Sequence, residues 1–86
     1  MDQYEVIKYP LSTEKSIRLM ESDNKLVFVV SKKASKAQIK KAIEEMFNVS
    51  VDYVKTFNSA KGEKKAYVRF SDKNPAIDIA TQLGLI

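Results

Sequence analysis

The stretch "SKAQIKKAIEEMFNVSVDYVKTFNSAKGEKKAYVRFSD", residues 35–72, decides the fold. It begins with Ser35 and Gln38, and this S-x-x-Q spacing predicts a capping box at the start of a helix. Apolar residues then recur with the i, i+3, i+4 spacing of a helix that packs one face against a core. These residues are Ile39, Ala42, Ile43, Met46 and Phe47. The first part of the stretch therefore predicts an amphipathic helix whose apolar stripe belongs to the core rather than to a cofactor site.

The second part of the stretch predicts a β-hairpin with its turn at Gly62, which supplies the backbone freedom that a tight turn needs. Residues 51–58 and 64–70 both alternate, as strands with two different faces do. The incoming strand is expected to place Val51, Tyr53, Lys55 and Phe57 on one face and Asp52, Val54, Thr56 and Asn58 on the other. The return strand is expected to place Ala66, Val68 and Phe70 on one face and Lys65, Tyr67 and Arg69 on the other.

The remainder of the chain supplies two more strands and two more helices. Proline disfavours helix at the residue before it, so Pro10 ends the first strand and turns the chain. The predicted strands are residues 4–8, with Tyr4 and Val6 on one side, and a central strand at residues 25–31. The predicted helices are one that runs from a cap at Ser12 or Thr13 to about Ser22, and a last helix in which Pro75 is the first residue. The residues of that last helix expected to face the sheet are Ile77, Ala80, Thr81 and Leu83 or Gly84.

These segments follow the order β-α-β-α-β-β-α. Helices packed on an antiparallel four-stranded sheet form an α+β fold, related here to the ferredoxin-like fold. We expect a single domain over residues 1–86, because a second core in a chain of 86 residues would be too small to be stable.

The composition excludes several classes of function. The chain contains no Cys and no His, so it lacks thiolate nucleophiles and ligands as well as the commonest general base at neutral pH. Neither glycine-rich phosphate-binding motif occurs, and no apolar run is long enough to span a bilayer. The sequence therefore predicts a binding protein that is not an enzyme and that has no cofactor, metal, small-molecule substrate or membrane partner.

The charge distribution favours a polyanionic partner. The net charge is +4, the pI is near 9.3, and most of the positive charge lies in residues 32–73. Lys65 and Arg69 flank Tyr67 on one strand face, so two cations border a ring that can stack on an unpaired base. Further polar and cationic residues of the hairpin are Lys55, Asn58, Lys61 and Lys64. Structured RNA suits this surface better than a DNA major groove, because no recognition helix is present.

Charge and periodicity leave three alternatives open. The lysines of an edge hairpin also prevent it from pairing with the strands of other proteins. A ferredoxin-like protein-interaction or regulatory module would function without RNA. An acylphosphatase-like enzyme would need an arginine in an anion-binding loop, and neither Arg18 nor Arg69 lies in such a loop.

Four stretches carry a resemblance to a known family. They are "VIKYPLSTEKS" (6–16), "ASKAQIKKAIEEMFNVSVDYVKTFN" (34–58), "KGEKK" (61–65) and "KKAYVRFSD" (64–72). Over essentially its whole length, the chain resembles the universal large-subunit ribosomal protein twenty-three family in its short archaeal form. The resemblance implies the strand order 1-2-4-3 and a cytoplasmic location in the large ribosomal subunit. It also implies binding to large-subunit rRNA at the rim of the polypeptide exit tunnel, beside large-subunit protein twenty-nine, where nascent-chain factors such as the signal recognition particle dock.

The resemblance also implies which residues face these partners. The residues expected to bind rRNA are Lys8, Pro10, Ser12, Thr13, Lys15, Lys55, Asn58, Lys61, Gly62, Lys64, Lys65, Tyr67 and Arg69. Glu14 occupies the position that contacts a ribosome-associated chaperone in bacterial relatives, so it is expected to face docking factors. Bacterial relatives carry a long basic hairpin loop, whereas residues 58–63 are short here, so the contacts of that loop are not expected.

Overall fold

A four-stranded antiparallel sheet organises the protein; the computed structural model describes residues 3–85, with the side chains of residues 5–85. The elements are α1 (Gln3–Val6), β1 (Ile7–Pro10), α2 (Glu14–Asp23), β2 (Lys25–Val30), α3 (Lys36–Phe47), β3 (Val51–Asn58), β4 (Lys64–Phe70) and α4 (Ala76–Gln82). The strand order is β1-β2-β4-β3. The predicted α+β fold and the predicted strand order are therefore confirmed.

One face of the sheet packs against helices, and we call it the covered face. Phe28 of β2 and Phe70 of β4 are its largest side chains, and both are fully buried. The predicted stripe of α3 packs in the same core: Ile39 and Ile43 are completely buried, and Met46 and Phe47 are partly buried against them. Burying each such side chain contributes roughly 1.5–3 kcal/mol, so this core is the main source of the stability of the fold.

The first strand begins three residues later than predicted. Residues 3–6 form a short helix, and the strand runs from Ile7 to Pro10. Val6 and Ile7 are neighbours in sequence yet both are buried, which strict strand alternation does not allow. Pro10 is tolerated within β1 because an edge strand has one unpaired side, and the Leu11 amide continues the pairing by donating to the Val27 carbonyl at 2.9 Å. The side chain of Tyr4 lies outside the described residues.

The prediction of strict alternation in β3 is wrong at its start. A bulge between Val51 and Tyr53 sets Val51 opposite Phe70 and Tyr53 opposite Arg69. An extra residue in one strand reverses the alternation beyond it, so Val51 and Val54 are both buried in the core. Tyr53 consequently faces away from the core, as Lys55 and Phe57 do.

The predicted face of the last helix is also wrong in part. Ile77 is 51% exposed, whereas Ala76 and Ile79 are buried together with the correctly predicted Ala80. Pro75 is the N-cap rather than the first helical residue. The Ala76 amide donates to Asn24 Oδ1 at 2.6 Å, and this bond fixes the start of α4 with Ala76 inward.

Capping side chains define the two longer helices. Thr13, one of the two predicted candidates, caps α2 in a reciprocal box with Ser16, and the predicted Ser35–Gln38 box caps α3. Asn24 and Asn48 end these helices in the left-handed conformation, with φ of 55° and 54°. No helix within residues 3–85 combines the length and the hydrophobicity needed to cross a membrane.

Candidate nucleic-acid interface

The face of the sheet opposite the covered face is not packed against α3 or α4, and we call it the open face. Residues directly opposite each other on paired strands point to the same side, so the register defines this face. Its members are Tyr9 of β1, Lys25, Val27 and Val29 of β2, Lys65, Tyr67 and Arg69 of β4, and Tyr53, Lys55 and Phe57 of β3. The predicted grouping of Lys65, Tyr67 and Arg69 is thus correct, and neighbouring strands extend it across the sheet.

Aromatic rings on the open face are held in fixed orientations by their neighbours. Phe57 and Tyr67 pack edge to face, with ring centroids 5.3 Å apart and an interplanar angle of 82°. The Tyr53 ring lies between two ammonium groups, with Lys25 Nζ at 5.5 Å and Lys55 Nζ at 5.3 Å from its centroid. Phe57 is nevertheless 56% exposed, so this chain leaves a large apolar surface uncovered among cations.

The positive charges of the open face differ in how far they are compensated. Arg69 Nη1 lies 2.8 Å from Asp52 Oδ2, and Arg69 Nε donates to the Asp23 carbonyl at 3.3 Å. Lys25 Nζ lies 3.8 Å from Asp23 Oδ2. Among the residues that the structure describes, no ion pair includes Lys55 or Lys65. The uncompensated charge therefore lies toward the hairpin end of the open face.

The hairpin turn is closed by a compact set of hydrogen bonds. The Ser59 amide donates to the Glu63 carbonyl at 2.7 Å, and the Gly62 amide donates to the Ser59 carbonyl at 3.0 Å. Gly62 has a φ of 82°, a backbone conformation that residues with a side chain rarely adopt. The predicted site residues Asn58 and Lys61 are exposed here. Lys64 instead extends on the other side of the sheet, where its Nζ donates to the Ala34 carbonyl.

The turn is tied to the edge of the sheet by the Tyr9 hydroxyl, which donates to Glu63 Oε2 at 2.8 Å. Because Glu63 accepts this hydrogen bond and carries a negative charge, it raises the pKa of Tyr9 above its ordinary value of 10.0. The bond joins the edge strand β1 to the hairpin turn just before β4, which is separated from β1 by β2. It therefore limits the movement of the turn relative to the open face.

The predicted site residues of the first part of the chain lie on β1 and at the start of α2. Lys8, Ser12, Thr13 and Lys15 are exposed, and Pro10 is half-buried. Glu14 pairs with Arg18 at 2.9 Å, yet the two side chains are 84% and 76% exposed. Such a surface pair contributes little to stability, so the carboxylate of Glu14 stays accessible to a partner.

Sequence reasoning did not place Tyr9, Lys25, Tyr53 or Phe57 among the candidate site residues. The alternation of residues 51–58 carried a signal for Tyr53 and Phe57, which share a face with Lys55. For Tyr9 and Lys25, the placement depends on which strands are neighbours and in which register they pair, and residue types alone do not specify this.

The fold and this surface together define a small α+β protein whose uncovered sheet face carries cations and aromatic rings. Residues 5–80 match the family model described as Ribosomal protein L23. A similar protein is the large ribosomal subunit protein uL23 of Methanococcus aeolicus, which is 44% identical over 85 residues that cover 99% of each chain. The chain therefore belongs to the ribosomal protein L23 family.

Membership of this family confirms several predictions made from the sequence. The family is the one that the four quoted stretches indicated, and the similar protein is archaeal, as the short form suggested. The protein is a structural component of the large ribosomal subunit and not an enzyme.

Proposed function

We propose that the protein binds large-subunit rRNA through the open face, the hairpin turn and the start of α2. The observation that carries this proposal is that Lys55 and Lys65, which have no ion-pair partner among the described residues, share one sheet face with the exposed ring of Phe57. Lysines that approach phosphates release condensed counterions, and exposed rings stack on unpaired bases. The surface fits single-stranded or irregular segments of folded rRNA, whose bases are accessible.

Apart from Lys64, which extends on the other side of the sheet, the other predicted site residues assist in this binding. Lys8, Lys15 and Lys61 are exposed around the open face and would contact phosphate. The hydroxyl and amide groups of Ser12, Thr13 and Asn58 would fix the register of the RNA backbone, as polar contacts to phosphate and sugar do. Pro10 and Gly62 shape the backbone on either side of the open face, and Gly62 lets the chain turn tightly there.

Binding at the rim of the polypeptide exit tunnel, beside large-subunit protein twenty-nine, is part of this proposal. There the protein would contribute to the platform on which nascent-chain factors such as the signal recognition particle dock. The exposed Glu14 supports such a role, because within the described residues its carboxylate is held by no more than a surface pair with Arg18. A basic or amide-rich segment of a docking factor would bind it.

Salt-dependent binding to a large-subunit rRNA transcript tests the RNA proposal. If about five cations contact phosphate, the logarithm of the binding constant should fall with the logarithm of salt concentration with a slope of about −3 to −5. Lys65→Glu and Lys15→Glu should weaken binding more than Lys41→Glu, which reverses an exposed charge on α3. A flat salt dependence, or equal effects of all three substitutions, would contradict a localised RNA interface.

The docking proposal is tested on large subunits that contain the altered protein. Glu14→Lys should reduce cosedimentation of the signal recognition particle, whereas Glu21→Lys is the matched control, an exposed acid seven residues later on the same helix. Subunits carrying either substitution should contain normal amounts of the protein. Equal retention of the particle with both variants would argue against a role of Glu14.

A further inference from the structure

A groove of about 150 Å³ lies between the start of α2 and the open face. Its lining combines an apolar floor, one aromatic ring and two cations. The floor is formed by Leu11, Leu19 and Val27, Tyr67 contributes the ring, and Lys15 and Lys65 lie at the same site. Val27 is buried on the open face, where it lines the groove together with Leu19 of α2, so the floor of the groove is apolar.

We propose that this groove holds one unstacked base of the large-subunit rRNA, with its ring against Tyr67 and its flanking phosphates beside Lys15 and Lys65. The proposal rests on the proposed rRNA binding and adds to it a specific place for a nucleotide. The groove is thus a binding site for a single base, whereas the rest of the open face contacts the RNA backbone and exposed ring faces.

The size of the groove matches one ring. An apolar cavity of about 150 Å³ admits benzene, and every nucleobase contains a six-membered ring of similar size. Stacking on an aromatic side chain depends on the π-face that all bases share, so the groove requires an accessible base more than a particular sequence.

The charges beside the groove favour a nucleotide over an uncharged ligand. Within the described part of the chain, no ion pair includes Lys15 or Lys65. An inserted base brings a phosphate on each side of its sugar, and two separate ammonium groups can each contact one of them. A purely apolar ligand would leave both ammonium groups without a counter-charge.

The groove is formed before any ligand binds, because the turn into α2 is fixed by its own hydrogen bonds. The Thr13 amide donates to Ser16 Oγ at 2.7 Å, and the Ser16 hydroxyl lies 3.1 Å from the Leu11 carbonyl that it can donate to. Ser16 is buried, so these bonds are shielded from water. A site that needs no ordering on binding retains more of its interaction free energy as affinity.

A filling substitution tests the site in the full chain with a large-subunit rRNA transcript. Leu19→Trp should fill the groove without removing a cation, so affinity should fall by roughly 10- to 100-fold, the worth of one stacked base. Ile17→Trp is the matched control, because Ile17 is 41% exposed and does not line this groove. Chemical probing should show one base that is protected by the unaltered protein and reactive with Leu19→Trp.

The outcomes separate this proposal from the broader one. If the unaltered protein shows no salt-dependent binding, both proposals are wrong. If it binds with the expected salt slope and Leu19→Trp binds equally well, the groove is not a base site but rRNA binding stands.

A fluorescence measurement gives a second test that does not depend on filling the groove. The chain has no Trp, so Tyr67→Trp and Phe57→Trp each introduce a single reporter. The rRNA transcript should quench the fluorescence of the Tyr67→Trp variant, because position 67 lines the groove. Quenching at position 57 without quenching at position 67 would limit base stacking to the outer part of the sheet and overturn the proposal.

Discussion

Helices of this chain cover one face of the sheet and leave the other face open. The seven residues of β4 show this difference. Its residues Ala66, Val68 and Phe70 are completely buried on the covered face. The alternate residues Lys65, Tyr67 and Arg69 are only half-buried on the open face. Helices of the same chain pack against the first set, whereas the second set presents charge and rings to solvent. Stability and RNA binding should therefore depend on opposite sides of one strand, and substitutions should separate them.

The largest effect is expected from two phenylalanines, one on each face. Phe70 is fully buried and Phe57 is 56% exposed. Phe70→Ala should lower the free energy of unfolding by about 3–5 kcal/mol, because it removes buried contacts and leaves a cavity. Phe57→Ala should lower it by less than about 1.5 kcal/mol, mainly through the lost edge contact with Tyr67.

Denaturant unfolding and rRNA binding, measured on the same two variants, test this separation. Phe57→Ala should reduce affinity for the rRNA transcript by roughly 10-fold or more, because one stacking surface is lost. The folded fraction of Phe70→Ala should bind normally. A variant that changes both properties to the same extent would show that the two faces are coupled.

The second largest effect is a loss of stability on replacing Asn24, which links the end of β4 to the start of α4. Asn24 Nδ2 lies 3.2 Å from the carbonyl oxygens of Phe70, Ser71 and Asn74, among which its two hydrogens are shared, while Oδ1 accepts from the Ala76 amide. Asn24→Gly keeps the left-handed conformation but removes these bonds. It should lower the free energy of unfolding by about 1–3 kcal/mol, since it leaves part-buried backbone groups without partners.

Asn48→Gly is the matched control for this substitution. Asn48 has nearly the same φ and ends α3 in the same way, but it is exposed. Glycine adopts this conformation without strain, so Asn48→Gly should be neutral or slightly stabilising in thermal unfolding. Equal destabilisation by both substitutions would mean that conformation, and not the hydrogen bonds of Asn24, determines the result.

The third effect separates two cations that share β4 and the open face. Lys65 has no ion-pair partner among the described residues, whereas Arg69 pairs with Asp52. Lys65→Ala should make the salt slope of rRNA binding less steep by about one, as expected for one lost phosphate contact. Arg69→Ala should change the slope less, because Asp52 already compensates its charge. A larger change with Arg69→Ala would indicate that the pair opens when RNA binds.

Local sequence patterns predicted the covered face better than the open face. The apolar stripe of α3 and the alternation of β4 are repeated signals, and both were confirmed. The bulge at Val51 and the inward turn of Ala76 depend on partners distant in the sequence, Phe70 and Asn24. Local periodicity contains no information about such contacts.

The open face was predicted only along the hairpin, for a related reason. Lys65, Tyr67 and Arg69 lie on one strand, so alternation alone groups them. Tyr9 joins the surface because β1 pairs with β2 at Val29. The groove beside α2 depends on how the start of that helix packs against the sheet. These features arise from packing between elements, so they could not be identified before the strand order was known.

The smallest effect is expected where Tyr9 links the edge of the sheet to the hairpin turn. Glu63 raises the pKa of Tyr9 above 10.0 by accepting its hydrogen bond. The neutral hydroxyl is therefore favoured in the folded state. The stabilisation from this pair is complete below the ordinary tyrosine value and is lost as the pH rises through the raised value. Alkaline pH should thus release the turn without unfolding the core.

Ultraviolet titration of tyrosinate tests this prediction. The difference between the titrations of the unaltered protein and Tyr9→Phe isolates Tyr9 from the other tyrosines. Glu63→Ala should return the pKa of Tyr9 toward its ordinary value, whereas Glu45→Ala, an exposed acid on α3, should leave it unchanged. If Glu63→Ala has no effect on Tyr9, the turn is not held to β1 in solution. The hairpin end of the open face would then be positioned by the β3–β4 pairing alone, and RNA binding there would require the turn to be ordered by the RNA.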